Sequence, residues 1–278
     1  VASRVLVTGA SGYLGRALVR ALADAGHEPV APARADIGDP AVYGGADAVC
    51  HLAGLAQARA SWDRPLDFFD VNVGGTTSVL RAMAAARVGT LVFASTAAIY
   101  GAPAEQPMSE RLPDDPPHPY ASSKAVAETV IGWEVARRGL AATVLRLSNL
   151  AGGADLDESR LLPRVLAAAR SGEPITVNGD GRAVRDYLHV SDAAEAFVAA
   201  LHTPGPPGVT RRYTIGSGVG SSVTEVIAAV ERVTGRVVAV THGPPADEPP
   251  ALVCDPTLAM TELGWRPRRA TVPDILRD

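Results

Sequence analysis

Arg4-Val5-Leu6-Val7-Thr8, followed without a break by Gly9-Ala10-Ser11-Gly12-Tyr13-Leu14-Gly15, decides the fold. The first five residues are a short apolar, β-branched run, which predicts a buried strand. Past the glycines the period changes. Leu14, Leu18, Ala21 and Leu22 share one face of a helix, with Arg16, Arg20 and Asp24 elsewhere. Strand, glycine-rich turn and helix in that order form a dinucleotide-binding unit. Glycine permits the tight turn, lets a pyrophosphate approach the backbone and lets the helix lie close to the strand. Free N–H groups at the helix N-terminus then meet the anion.

Strand-like runs recur at about 4–8, 28–33, 47–52, 90–96 and 141–147, with helical patterns between several of them. This alternation predicts right-handed βαβ units and an α/β fold built on a Rossmann-type, doubly wound parallel sheet. After about residue 150 proline and glycine increase, with short strands expected near 175–178, 213–215 and 236–240 and two further helices. We expect residues 1–150 to form the dinucleotide-binding domain. Residues 151–278 would then supply mainly a small C-terminal α/β substrate lobe, intertwined with the first into one compact unit. The Pro/Gly stretches at 203–208 and 243–250 read as loops.

A net charge of −4 argues against nucleic acid as the partner. No apolar run approaches a membrane span, and the N-terminus opens into a strand rather than a signal peptide. Cys50 and Cys254 stand far apart, which suggests a reducing, cytoplasmic compartment. The six histidines show no ligand-like spacing, so no metal is expected.

Among 26 basic residues only one is a lysine, Lys124, four residues after Tyr120. Arginine would carry the same charge as a broad planar fork rather than as a compact ammonium. Pro116-Pro117-His118-Pro119 blocks helix before Tyr120 and leaves it in a first helical turn. Tyr120 and Lys124 then project from one helix face. A phenol titrating near about 10 is a poor acid or base at neutral pH, and a nearby ammonium favours its ionised form.

The GxxGxxG spacing of Gly9, Gly12 and Gly15 together with Tyr120-x-x-x-Lys124 resembles the short-chain dehydrogenase/reductase superfamily. More closely it resembles the extended, nucleotide-sugar-modifying branch, of which UDP-galactose 4-epimerase is the best-known member. Val92-Phe93-Ala94-Ser95-Thr96 through Gly101 looks like that branch's fifth strand and active-site turn. Val184-Arg185-Asp186-Tyr187-Leu188-His189-Val190-Ser191-Asp192 looks like its substrate-side segment. Cys254-Asp255-Pro256 and Glu262-Leu263-Gly264-Trp265-Arg266-Pro267 look like its C-terminal signature.

The resemblance implies hydride transfer at C4 of a nucleotide-diphosphate sugar. Tyr120 exchanges the proton, Lys124 holds the nicotinamide ribose, and Thr96 (rather than Ser95) hydrogen-bonds the substrate oxygen. It further implies a cofactor site made of Gly9, Ser11, Gly12, Tyr13, Leu14, Gly15, Asp36, Ile37, Leu52, Ala53, Gly54, Asn72, Ala94 and Ser95. Ala97-Ala98 replace the Asp-Glu pair of the 4,6-dehydratases, which argues against dehydration. Family members usually dimerise through the helix bearing the tyrosine. Here Ala125, Val126, Thr129, Val130 and Trp133 offer that helix an apolar outer face or inward packing, and a homodimer is expected.

NAD-using members usually place an acid at the end of the second strand, where this chain has Ala33 followed by Arg34. Loss of the carboxylate removes repulsion against a 2′-phosphate, and arginine can pair with one. A shortened crossover from Arg34 to Asp36-Ile37-Gly38-Asp39 resembles the dTDP-4-keto-sugar reductases. The expectation is therefore an NADP(H)-dependent 4-ketoreductase. The alternatives are an NAD(H)-retaining nucleotide-sugar 4-epimerase and a non-catalytic dinucleotide-sensing protein.

On the substrate side Asn149 and Arg185 fall on positions that face the diphosphate in the family. Arg160 replaces an asparagine there, Ala56 a lysine near the sugar, and Pro245 a second phosphate arginine. Arg160 is expected to supply the missing charge. Arg185 reads either as a phosphate ligand or as the structural partner of Asp186 or Asp192.

Overall fold

The computed structural model describes residues 3–246 and 248–277. The first half of the chain runs β1 (Arg4–Thr8), α1 (Tyr13–Asp24), β2 (Glu28–Val30), β3 (Ala48–His51), α2 (Ala58–Asp63), α3 (Pro65–Phe69), α4 (Gly75–Ala86), β4 (Thr90–Thr96), α5 (Pro119–Arg138) and β5 (Ala141–Leu147). The second half runs β6 (Asn149–Ala151), α6 (Leu161–Ser171), β7 (Ile175–Asn178), β8 (Val184–His189), α7 (Val190–His202), β9 (Thr210–Ile215), β10 (Gly220–Ser222), α8 (Val223–Thr234), β11 (Val240–Gly243), β12 (Ala251–Leu252), α9 (Thr257–Glu262) and α10 (Val272–Ile275).

The main sheet is parallel throughout, in the order β2-β1-β3-β4-β5-β9. Side chains alternate between its faces, so each strand feeds two cores. Val5 and Val7 pack with Leu18, Leu22 and Phe197 under α1 and α7. Leu6 and Val49 pack on the other face with Val79, Met83, Ile131 and Val135 from α4 and α5. Helices on both faces explain why β3 and β5 are buried along their whole length. The strand order reverses beside β1, and the loops after β1 and β3 part there to leave the crevice in which this fold binds ligands.

Two expectations are corrected. Residues 213–215 belong to β9, which extends the main sheet beside β5 rather than the small lobe. Tyr213 and Ile215 are buried against the main-sheet core, and that burial decides the placement. The strand expected at 236–240 lies at Val240–Gly243, paired with β7. A glycine turn after α8 takes up the intervening residues. The shortened crossover leaves β2 as a three-residue edge strand, followed only by two 3₁₀ turns at Arg34–Asp36 and Pro40–Tyr43.

The smaller layer holds the parallel pair β7–β11 and the ladder β10-β8-β12, with β6 paired to the last residues of β8. Two buried carboxylates tie it to the rest. Asp186 accepts from the Ser217, Gly218 and Cys254 amides and from the Ser217 hydroxyl. Asp192 accepts from the Arg268 and Arg269 amides, while the Trp265 indole donates to its carbonyl at 2.8 Å. The sequence segments around Asp186 and Trp265 are thus fastened to each other, which is a structural reason for both. Among the described residues no helix is long and apolar enough to cross a membrane.

Candidate active site

The glycine-rich turn closes with the Gly12 amide donating to the Gly9 carbonyl at 3.0 Å, and α1 begins at once. Gly9 has φ +74°, and a Cβ there would stand 2.8 Å from the Ala53 amide. A Cβ on Gly15 would collide with the Gly9 carbonyl oxygen. Only a backbone without side chains fits, which leaves the N-terminus of α1 open to an anion. The turn, the helix end and the crevice suit a dinucleotide.

The opposite wall is the loop after β3. Leu52 and Ala53 are tied to Thr8 through their amides, at 3.2 Å each. His51 lies buried between the Thr8 and Thr76 hydroxyls, at 2.7 and 3.0 Å. Burial and the nearby Lys124 push its pKa down to about 3, so the imidazole is neutral. Asn72 sits in a π-helical turn at Asp70–Gly74, a distortion common at functional sites. Its amide accepts from the Leu55 N–H and donates to the Leu55 carbonyl and to Ser123. That side chain fixes the Gly54 loop against the helix carrying Lys124.

Pro119 at the helix start and His118 as its cap, with Nδ1 accepting from the Ala121 amide, place Tyr120 in the first turn of α5. The half-buried phenol is stacked on His118, edge-on to Phe68 and close to the Thr96 hydroxyl. Thr96, buried at the end of β4, also caps the following 3₁₀ turn by accepting from Ala98. Burial raises the Tyr120 pKa and the nearby Thr96 hydroxyl opposes the rise. The ionised phenol therefore needs the positive charge that an oxidised nicotinamide brings.

Lys124 is buried one turn further on. Its Nζ donates to the Ala94 carbonyl at 2.9 Å and lies 4.7 Å from the Phe93 ring centre. Burial pushes its pKa down to about 8, while Glu128 favours the charged form. The ammonium expected to lower the phenol's pKa is thus held toward the sheet, and Thr96 makes the opposing contact instead.

Sequence reasoning missed the group beneath these three. Glu128, one turn past Lys124 and 2% exposed, accepts from Ser95 and, through both oxygens, from Arg146. Arg146 makes a second two-point pair with Asp114, and Arg212 adds a further bond to Glu128. An arginine inside the apolar strand Ala141–Leu147 was the available signal, because a buried cation requires buried anions.

On the substrate side β6 pairs with β8, setting the exposed Asn149 opposite Tyr187. Arg185 pairs with neither Asp186 nor Asp192. It donates to Glu248 at 2.6 Å and to the Val184 and Pro249 carbonyls. Arg160 is held by Asp155 at 2.8 Å and Asp157 at 3.6 Å, 4.9 Å above the Tyr13 ring. Its charge is thus shared with two acids of its own loop. Tyr13 in turn donates to the Gly152 carbonyl at 2.5 Å, closing the segment after β6 over the glycine-rich turn. Asp36 is exposed in the 3₁₀ turn, and Ile37 packs against the second core beside Tyr43.

A dinucleotide crevice with Thr96, Tyr120 and Lys124 at its mouth defines an NAD(P)-dependent oxidoreductase acting on nucleotide sugars. The chain belongs to the NAD dependent epimerase/dehydratase family, which matches residues 5–216, and within it to the UDP-glucose/galactose 4-epimerase branch. It is 38% identical to a UDP-glucose 4-epimerase of Streptomyces lividans, over 97% of this chain and 93% of that one. The UDP-glucose-4-epimerase of Stenotrophomonas maltophila, solved with NAD and formylated UDP-arabinopyranose, matches at TM-score 0.92 and 30% identity. That match covers 99% of this chain and 96% of the other. The Brucella ovis UDP-glucose 4-epimerase, solved with NAD, matches at TM-score 0.90 and 31% identity over 99% and 97%.

These NAD complexes overturn the expectation of NADP(H), and with it that of a 4-ketoreductase drawing on a dissociable reductant. The physical reason lies at Ala33-Arg34. Both residues are exposed on a one-turn 3₁₀ helix, and among the described residues no hydrogen bond or ion pair fixes the Arg34 guanidinium. Losing a carboxylate removes a repulsion. It does not build a phosphate site.

Proposed function

We propose that this chain is an NAD-retaining nucleotide-sugar 4-epimerase acting on a UDP-hexose. The observation that carries this reading is the placement of Tyr120 beside Thr96 at the mouth of the glycine-lined crevice, with Lys124 one turn below. Thr96 and Tyr120 bracket the C4 oxygen. Tyr120 as phenolate takes the hydroxyl proton while hydride leaves C4, and it returns the proton after the keto sugar has presented its other face. When bound, NAD supplies the acceptor that takes this hydride and gives it back. Lys124 holds the ribose and fixes the phenol's distance from the sugar. Because no electrons are gained or lost overall, nothing requires the cofactor to leave.

Purified protein, denatured and assayed for nucleotide, is expected to release NAD in stoichiometric amount. It is also expected to interconvert UDP-glucose and UDP-galactose with no cofactor added. Protein that arrives empty and stays inactive on both sugars until NADPH is supplied would sink this reading.

We also infer a homodimer formed through α5. Val126 and Trp133 are exposed on its outer face, Trp133 by 73%, and a second copy would cover them. Light scattering should give twice the chain mass, reverting to one chain in Trp133→Asp; a monomeric wild-type protein contradicts it. The two free, buried cysteines support a reducing, cytoplasmic setting.

A further inference from the structure

Tyr120, Lys124 and Glu128 stand four residues apart along α5, and all three meet the end of β4. Tyr120 lies beside Thr96, Lys124 donates to the Ala94 carbonyl at 2.9 Å, and Glu128 accepts from the Ser95 hydroxyl. Three successive helical turns thus engage three successive residues of the strand that carries Thr96. Residues at i and i+4 are neighbours on a helix face, so the Glu128 carboxylate follows directly on the Lys124 ammonium. Both are buried, Glu128 to 2% exposure and Lys124 to 5%.

The carboxylate is gripped from the sheet. Arg146 of β5 donates to both of its oxygens, at 3.0 and 2.8 Å, and Arg212 of β9 donates to one at 3.0 Å. Arg146 is fixed in turn by its two bonds to Asp114 and lies 4.8 Å over the Tyr100 ring. A buried carboxylate paired with a buried guanidinium seldom adds net stability over apolar packing. What it adds is geometry, because a two-point pair fixes direction as well as distance. Burial works against the charge on Lys124 and Glu128 works for it, while His51 on β3 is neutral.

We infer that Glu128 is a positioning residue for the proposed hydride transfer: through Ser95 it fixes the strand end that presents Thr96, and through its charge it keeps Lys124 an ammonium. This rests on the reading of Thr96, Tyr120 and Lys124 as the reacting set. Glu128 acts only through its neighbours. Without its carboxylate Arg146 and Arg212 would be short of an anion, and burial and two cations would together oppose the charge on Lys124. Thr96 would keep its place in the strand but lose the tie that holds the residue before it to α5.

Because Lys124 is the only lysine in the chain, protein made with isotope-labelled lysine gives a single side-chain signal in NMR. That signal is followed through a pH titration in wild type, Glu128→Gln and Ser95→Ala, together with kcat, KM for UDP-glucose and bound nucleotide. Glu128→Gln, which keeps the shape and an oxygen for Ser95, should titrate Lys124 about one pH unit lower. Its kcat should fall about tenfold with KM and bound NAD unchanged, and the alkaline limb of its pH–rate profile should move down with the lysine. Ser95→Ala should leave the lysine titration in place and lower kcat about fivefold. A folded Glu128→Gln protein with the wild-type lysine titration, or a Ser95→Ala protein with wild-type kcat, overturns the inference. Should Glu128→Gln fail to fold, the Ser95→Ala result decides alone. The lysine signal needs no substrate, so the functional reading fails separately. A wild type inert on UDP-glucose whose lysine still shifts in Glu128→Gln would remove the epimerase and leave the coupling of Glu128 to Lys124 standing.

Discussion

Tyr120→Phe is expected to lower the turnover of UDP-glucose by about a thousandfold while the purified protein still carries its NAD. The ring makes packing contacts that phenylalanine reproduces, stacked on His118 and edge-on to Phe68. What disappears is one oxygen, the group that faces Thr96 and is proposed to exchange the proton. The residues proposed to hold the cofactor lie elsewhere, on the glycine-rich turn and at Lys124, so binding and chemistry should separate. Initial rates together with nucleotide released on denaturation check this. Turnover within tenfold of wild type would show that another group carries the proton.

Lys124→Met is expected to abolish turnover without destabilising the nucleotide-free chain at neutral pH. The wild-type ammonium is buried, and burial brings its pKa down to about 8. In the unfolded chain it would titrate near about 10.4. Below pH 8 both states are charged, and the buried charge opposes folding by about 3 kcal/mol. Between those two values the folded state gives up its proton while the unfolded state keeps it, so wild-type stability rises with pH through this window. Methionine carries no such term. It loses the bond to Ala94 and the contact with Phe93, which offsets part of the gain. Thermal unfolding of both proteins from pH 7 to 10 is the measurement, with wild type expected to gain on the variant as pH rises. A variant far less stable at pH 7, with a gap that ignores pH, would place Lys124 among purely structural residues.

Much of the site was legible because its parts are local. Tyr120 and Lys124 stand one helical turn apart, and Pro119 with His118 starts that turn where it must start. The glycines of the first turn act through backbone geometry within seven residues. Asn72 was legible only by resemblance, since the π-helical turn that aims it at Leu55 and Ser123 has no simple periodic signature. Arg34 misled because the sequence shows a charge without showing whether anything holds it. In the fold it stands exposed at the sheet edge.

By itself the sequence determined the parallel α/β architecture, the dinucleotide crevice and the tyrosine–lysine pair. Each follows from periodicity, from glycine sterics or from spacing along one helix, and these act over a few residues. Tertiary structure alone decided which charges are free. Arg185 meets Glu248 across 63 residues of chain, and Arg212 meets Glu128 across 84. The expected phosphate ligand Arg160 pairs with acids of its own loop, and Arg164 is left with a buried donor unsatisfied. Such pairings depend on where distant segments are brought together and how far water is excluded between them, and no local pattern encodes either.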